Sequence, residues 1–301
     1  MSGLDESAPV VLVALPLLAA AVIAGVGHWI PRIAADSTAV GCAAVCCVVS
    51  AWLTLDTGSV RRVVWLGDYV PEHGHSVGIA LVADRAGCAL AFLAAGLTLA
   101  GAVYSWHFLE DVDASDHALV LVFLAGMSGF ALAGDLFNAF VWFELMSVAA
   151  FALTGLRVEE PRSVQGALTF GAMTSWAATV SLLGIALLYA VTGELNLAAV
   201  GQDLRTDGGS RTVDVACALL FTGFLVKAAA VPWHFWTADA EAVAPTPVCA
   251  LLSGAMVALG VYGVARSWWT MFDGVVTTAA IRSALLVLGV LTALVGALMC
   301  T

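Results

Sequence analysis

Lys227 is the only lysine in the chain, and it lies inside an apolar run, 213–231, with Pro232 directly after it. A lone ammonium at the centre of a membrane helix costs about 2.5–3.5 kcal/mol on insertion scales, so a functional role is the first reading of such a residue. It also requires a partner. Glu144 stands nine residues into an apolar stretch that opens at residue 135, roughly 13 Å along a helix axis and close to mid-bilayer. Desolvation disfavours the charged form of each group and a nearby opposite charge favours it, so a change in their separation loads or releases a proton. Such a pair is a proton switch that needs no cofactor. The alternative is a static ion pair that only fixes helix register.

The segment Lys227-Ala-Ala-Ala-Val-Pro-Trp-His-Phe-Trp adds a second signal. Pro232 cannot donate to the carbonyl one turn back. A break here frees backbone groups, which a membrane tolerates only where protein or water satisfies them. Interrupted helices of this kind mark transport sites. The plainer alternative is a helix that ends at Val231, since proline also follows ordinary helix termini. His234, just beyond, is either a proton relay or a packed imidazole between Trp233 and Phe235.

The elements that position these residues follow from composition. A hydrophobic fraction of 61%, 11% charged residues and a mean hydropathy of +0.99 leave too little polar surface to wrap a 301-residue soluble globule. The sequence predicts an all-α, polytopic membrane protein forming a single transmembrane domain over 1–301. Stretches of about 20 apolar residues predict nine spans, near 9–30, 37–55, 84–106, 117–134, 135–156, 165–192, 213–231, 246–269 and 279–301. The fourth and fifth are joined by the tight Ala133-Gly134-Asp135 turn. The acidic opening, 1–9, has no basic region, so the first span reads as retained rather than as a signal peptide. Segment 56–83, which alternates Val63, Trp65 and Ile79 with Gly, His and Pro, predicts a hairpin at the membrane surface. Segment 194–211 predicts an interfacial helix followed by a Gly-rich link.

The net charge of −11 sits mainly in loops such as 110–116 and Glu159-Glu160. No basic patch with interleaved aromatics is present, which argues against nucleic-acid binding. The acidity describes a solvated face or a surface offered to neighbouring subunits. Cys42, Cys46 and Cys47 share one apolar helix, and Cys88, Cys217, Cys249 and Cys300 are scattered, with no C-x-x-C. They read as small buried hydrophobes. No histidine pair has helical ligand spacing, and no Gly-rich phosphate loop follows a strand. No metal, haem, iron–sulfur, flavin or nucleotide site is expected, so any electron-transfer chemistry belongs to other subunits.

Four blocks make the sequence resemble a known family. They are Asp135-Leu-Phe-Asn-Ala-Phe-Val-Trp-Phe-Glu144-Leu-Met-Ser, Leu187-Leu-Tyr-Ala-Val-Thr-Gly-Glu-Leu-Asn196, Lys227 through Trp236, and Asp239-Ala-Glu-Ala-Val-Ala-Pro-Thr-Pro247-Val-Cys-Ala-Leu-Leu-Ser-Gly254. In this order they resemble the proton-conducting antiporter-like family, the large membrane subunits of respiratory complex I, of membrane-bound hydrogenases and of multi-subunit sodium/proton antiporters. The resemblance implies that 117–269 is one five-helix repeat, helices four to eight, with a broken helix seven. It also implies that Glu144 and Lys227 pass protons along a hydrated axis, with His234 beyond the break at Pro232.

Four departures accompany the resemblance. Relatives carry an ionisable residue in helix eight where this chain has Ala258. Ser253 stands where some have a histidine, and Leu168 lies near where many have a helix-six lysine. Relatives also have about fourteen helices, whereas this sequence stops inside the ninth at Met299-Cys-Thr301. The resemblance thus implies half of the usual pathway, with the rest on a continuation or a partner chain.

Orientation divides two lines of reasoning. Arg32, Arg157 and Arg162 lie on one side, and Arg61, Arg62, Arg85, Arg205, Arg211, Arg266 and Arg282 on the other. This favours a cytoplasmic N-terminus, and the resemblance implies the opposite. The expected function is a multi-pass subunit of the cell inner (plasma) membrane that moves protons, alone or in exchange for sodium, within a larger redox-driven or antiporter complex. Its expected partners are other membrane subunits and the lipid bilayer. Two alternatives stand beside it: a non-conducting structural subunit or fragment, favoured by Ala258, and a small-ion or inorganic-carbon uptake module on the same scaffold.

Overall fold

A computed structural model describes residues 3–29, 31–57, 61–69, 78–108 and 113–299. Parts of the predicted hairpin (58–60, 70–77) and acidic loop (109–112), together with the chain ends (1–2, 300–301) and Ile30, lie outside the described residues. The described residues are mainly helical. Eight helices among the described residues are long and apolar enough to cross a membrane, and the protein is an all-α, polytopic membrane protein. They are α1 (Gly3–Val26), α2 (Arg32–Asp56), α3 (Arg85–Phe108), α4 (Ala114–Leu132), α5 (Leu136–Thr154), α6 (Pro161–Thr192), a composite span Thr246–Phe272, and α12 (Thr278–Met299). The short α7 (Leu197–Asp207) precedes α8 (Arg211–Lys227). At 17 residues, α8 is shorter than the other spans because its helix stops at Lys227 instead of running on to residue 231.

Local chemistry sets these boundaries. Asp113 and Asp116 form a reciprocal capping box at the start of α4, and Asp135 caps α5 by accepting from the Asn138 N–H at 2.7 Å. Asn196 accepts from the Ala198 and Ala199 N–H groups to start α7. Each such cap satisfies helix N–H groups that have no intrahelical acceptor. Gly193, at φ +71°, ends α6 in a left-handed conformation open to glycine. The segment between α2 and α3 holds an antiparallel pair, β1 (Arg62–Trp65) with β2 (Ala80–Ala83), in register Arg62 with Ala83 through Trp65 with Ala80.

In α4, 72% of the apolar stretch is buried, which makes it the central helix, flanked by α1, α3 and α5. By contrast, none of the α12 stretch is buried. The Asp135 carboxylate also accepts from the Ala80 N–H at 3.3 Å, and the Leu136 N–H donates to the Leu195 carbonyl at 2.9 Å. The hairpin, the α4–α5 turn and the start of α7 are therefore tied together at one end of the bundle. α6 packs closely on α8, where a Cβ on Gly223 would sit 2.8 Å from the Ala177 carbonyl oxygen.

Candidate functional site

Lys227 is the last residue of α8 and is fully buried. Beyond it the chain is non-helical until α9 (Phe235–Glu241). Ala229 adopts φ +52°, and the Val231–Pro232 peptide is cis. The carbonyls freed at the end of α8 are taken up locally: Phe224 accepts from the Ala228 N–H, Leu225 from Ala230 and Val226 from Ala229. The Trp236 indole N–H also donates to the Val226 carbonyl at 2.8 Å, while its ring stacks on Phe170 of α6 with centroids 4.5 Å apart. On the far side the Val231 N–H donates to the Thr292 hydroxyl of α12 at 3.0 Å. Backbone polar groups at membrane depth require such partners.

The break is approached closely by α11 (Val257–Ser267), which follows α10 (Thr246–Leu251) and a wide helical turn over Leu252–Met256. A Cβ on Gly260 would lie 2.5 Å from the Ala228 nitrogen and 2.9 Å from the Lys227 carbonyl carbon. Only glycine lets the two backbones meet there.

The Lys227 ammonium points at α5. It donates a short hydrogen bond to the Ser147 hydroxyl and lies 4.3 Å from the centre of the Phe143 ring. That ring face is a favourable site for a cation. Ser147 in turn donates to the Phe143 carbonyl at 2.6 Å. Glu144 lies on the same helix, next to Phe143 and three residues before Ser147. Lys227 and Glu144 are not in direct contact: no ion pair within 4.0 Å joins them. The buried Oε1 of Glu144 has no hydrogen-bond partner among the protein groups. A buried carboxylate oxygen without a partner is costly.

Ser147 escaped the sequence reading. Its signal was present, since Glu144-Leu-Met-Ser147 places glutamate and serine three residues apart on one helix face. His234 caps α9 without a side-chain cap bond and is half-buried, with Nδ1 buried and unpartnered among the protein groups. Pro232 lies within the break, five residues beyond Lys227. Of the other positions that the resemblance singled out, Leu168 is 68% exposed on α6. Ser253 returns its hydroxyl to the Cys249 carbonyl at 2.8 Å, and Ala258 sits in the first turn of α11, two residues before Gly260. Among the described residues no cluster of three His, Cys, Asp or Glu side chains is spaced to hold a metal ion.

Fold and site together define a polytopic helical membrane protein organised around a buried lysine at a helix break. A family model described as "NADH:quinone oxidoreductase/Mrp antiporter, TM" matches residues 133–301, more than half of the chain, and the chain belongs to that family. It is 36% identical over 191 residues to a probable K(+)/H(+) antiporter protein of Rhizobium meliloti, a match covering 63% of this chain and 35% of the relative. It is 32% identical over 264 residues to NADH-quinone oxidoreductase subunit N of Desulforudis audaxviator, covering 86% of this chain and 51% of the relative. The chain thus spans about half the length, or less, of these relatives. A chain in the structure of the membrane-bound sulfane sulfur reductase, an archaeal respiratory membrane complex, superposes with a TM-score of 0.84 at 23% identity. That likeness covers 94% of this chain and 57% of the other, and it shows the shared fold.

Proposed function

We propose that this chain is a proton-translocating subunit of a larger redox-driven or antiporter complex in the cell inner membrane, and that Lys227 and Glu144 hold the transported proton near mid-membrane. The observation that carries this reading is the arrangement around Lys227: a fully buried ammonium held by one hydroxyl and one ring face of α5, with the Glu144 carboxylate on the same helix and no ion pair between them. A static ion pair would close that gap and satisfy both charges. An open pair has two states, separated and paired, and the proton affinity of each group differs between them. His234 beyond the break extends the path, and residues 117–269 act as one antiporter-type repeat. The family membership supports transport over a purely structural role, and other membrane subunits supply the remaining pathway.

The test is Glu144→Gln beside Glu144→Asp in the assembled complex. An amide fills the same volume and cannot carry the proton, so Gln lowers pumping per assembled complex by about 100-fold, within the usual range for removing a proton-transfer group. Asp retains a measurable fraction. Wild-type pumping in Glu144→Gln would refute this reading and favour a structural subunit.

A further inference from the structure

A second buried acid–base pair lies away from Lys227. His117, in the first turn of α4, places Nε2 2.6 Å from Oδ1 of Asp36, one turn into α2. The two residues are 4% and 2% exposed. The approach is close but off-line for a hydrogen bond, and neither atom has another hydrogen-bond partner among the protein groups. Arg32 reaches the other carboxylate oxygen at 3.6 Å. Among the described residues, Asp116 lines the same cavity as His117, Asp113 caps α4 four residues before it, and His28 lines a separate cavity with Asp113. The described parts of α3, α5 and α10 that face His117 contribute no charged side chain.

His117 also lines an interior cavity of about 50 Å³, together with Asp116, Thr98 and Ser105. The wall is mainly apolar, and Asp116, His117, Thr98 and Ser105 are the polar residues where water could be held. The cavity reaches Leu153 near the end of α5, and Glu144 lies nine residues back along that helix, roughly 13 Å away. The pair is thus near the face where α4 begins, and Glu144 and Lys227 lie deeper. A purely packing role is better served by apolar side chains, which carry no desolvation penalty.

We infer that Asp36 and His117 form a second proton-binding site, which collects protons from water on the face where α4 begins and exchanges them with the cavity lined by Asp116. A hydronium in the cavity gives its proton to the imidazole, leaving water and an imidazolium beside the Asp36 carboxylate. The reverse step returns the proton to cavity water. The purpose of the site rests on the proton-translocation reading above, but its protonation does not.

Deuterium exchange at the histidine C2 position, read by mass spectrometry on the wild-type protein in its complex, measures that protonation residue by residue without any pumping assay. Between about pH 5 and pH 9, His117 exchange is expected to follow a sigmoid, at a rate within about tenfold of exposed His28. No exchange, or exchange that does not titrate, overturns the site whatever the outcome at Glu144. In transport, His117→Gln keeps a hydrogen-bonding group but no titration. Its pumping is expected to fall about fivefold at pH 8, where protons are scarce, and less than about twofold at pH 6. A profile parallel to wild type contradicts the inference. Asp36→Asn replaces this variant if His117→Gln fails to assemble, and the wild-type exchange measurement needs neither.

Discussion

An ammonium held by a hydroxyl and an aromatic face can lose its proton without leaving a stranded carboxylate bonded to it, and this is the use of Ser147 at the site. The hydroxyl accepts from Lys227 and donates its own hydrogen bond to the Phe143 carbonyl, so it supports the cation without adding charge. Hydrogen bonds to charged groups contribute about 1.5–3 kcal/mol. Ser147→Ala is therefore expected to slow pumping about tenfold with normal complex content, while Ser147→Thr keeps the hydroxyl and stays near wild type. Equal rates in all three proteins would remove Ser147 from the account. At this scale Lys227 and Glu144 were legible in the sequence because intramembrane charges are rare and costly. That Lys227 would bond Ser147 and form no ion pair with Glu144 was not legible, because which α5 side chain it meets depends on how α8 rotates against α5.

Helix packing gives the site its geometry through small residues and caps. Gly260 admits α11 to the backbone of Lys227 and Ala228. Gly260→Ala forces those backbones apart, which is expected to cost about 1–3 kcal/mol in thermal stability and to depress pumping beyond the loss of folded protein. Unchanged stability would show that the contact yields freely. Asp135 joins the α5 start to the hairpin through the Asn138 and Ala80 N–H groups. Asp135→Ala is expected to lower stability by about 1–2 kcal/mol in detergent unfolding, with Lys227 and Ser147 still in place. The hairpin, α7 and the α4–α5 turn could be read from alternation, caps and glycine. The end of α8 could not be placed to the residue, because Pro232 and Ala229 act together and the left-handed turn at Ala229 has no signature in an alanine run.

Across the molecule, a buried core from α1 to α11 is set beside α12, whose apolar stretch has no buried residue, and the chain spans about half the length or less of the relatives compared. Apolar composition made the membrane fold evident, and the four sequence blocks made the family evident. The pairing of Asp36 with His117 was not evident, since residues far apart in the chain meet only after packing. The central claim is that Lys227 carries the transported proton. Its most direct test is proton uptake into proteoliposomes containing the assembled complex with Lys227→Ala, followed with a pH-sensitive dye and normalised to complex content. The account predicts intact assembly, because the remaining glutamate can take a proton and become neutral, and pumping at least about 100-fold below wild type. Wild-type pumping by the Lys227→Ala complex would contradict it.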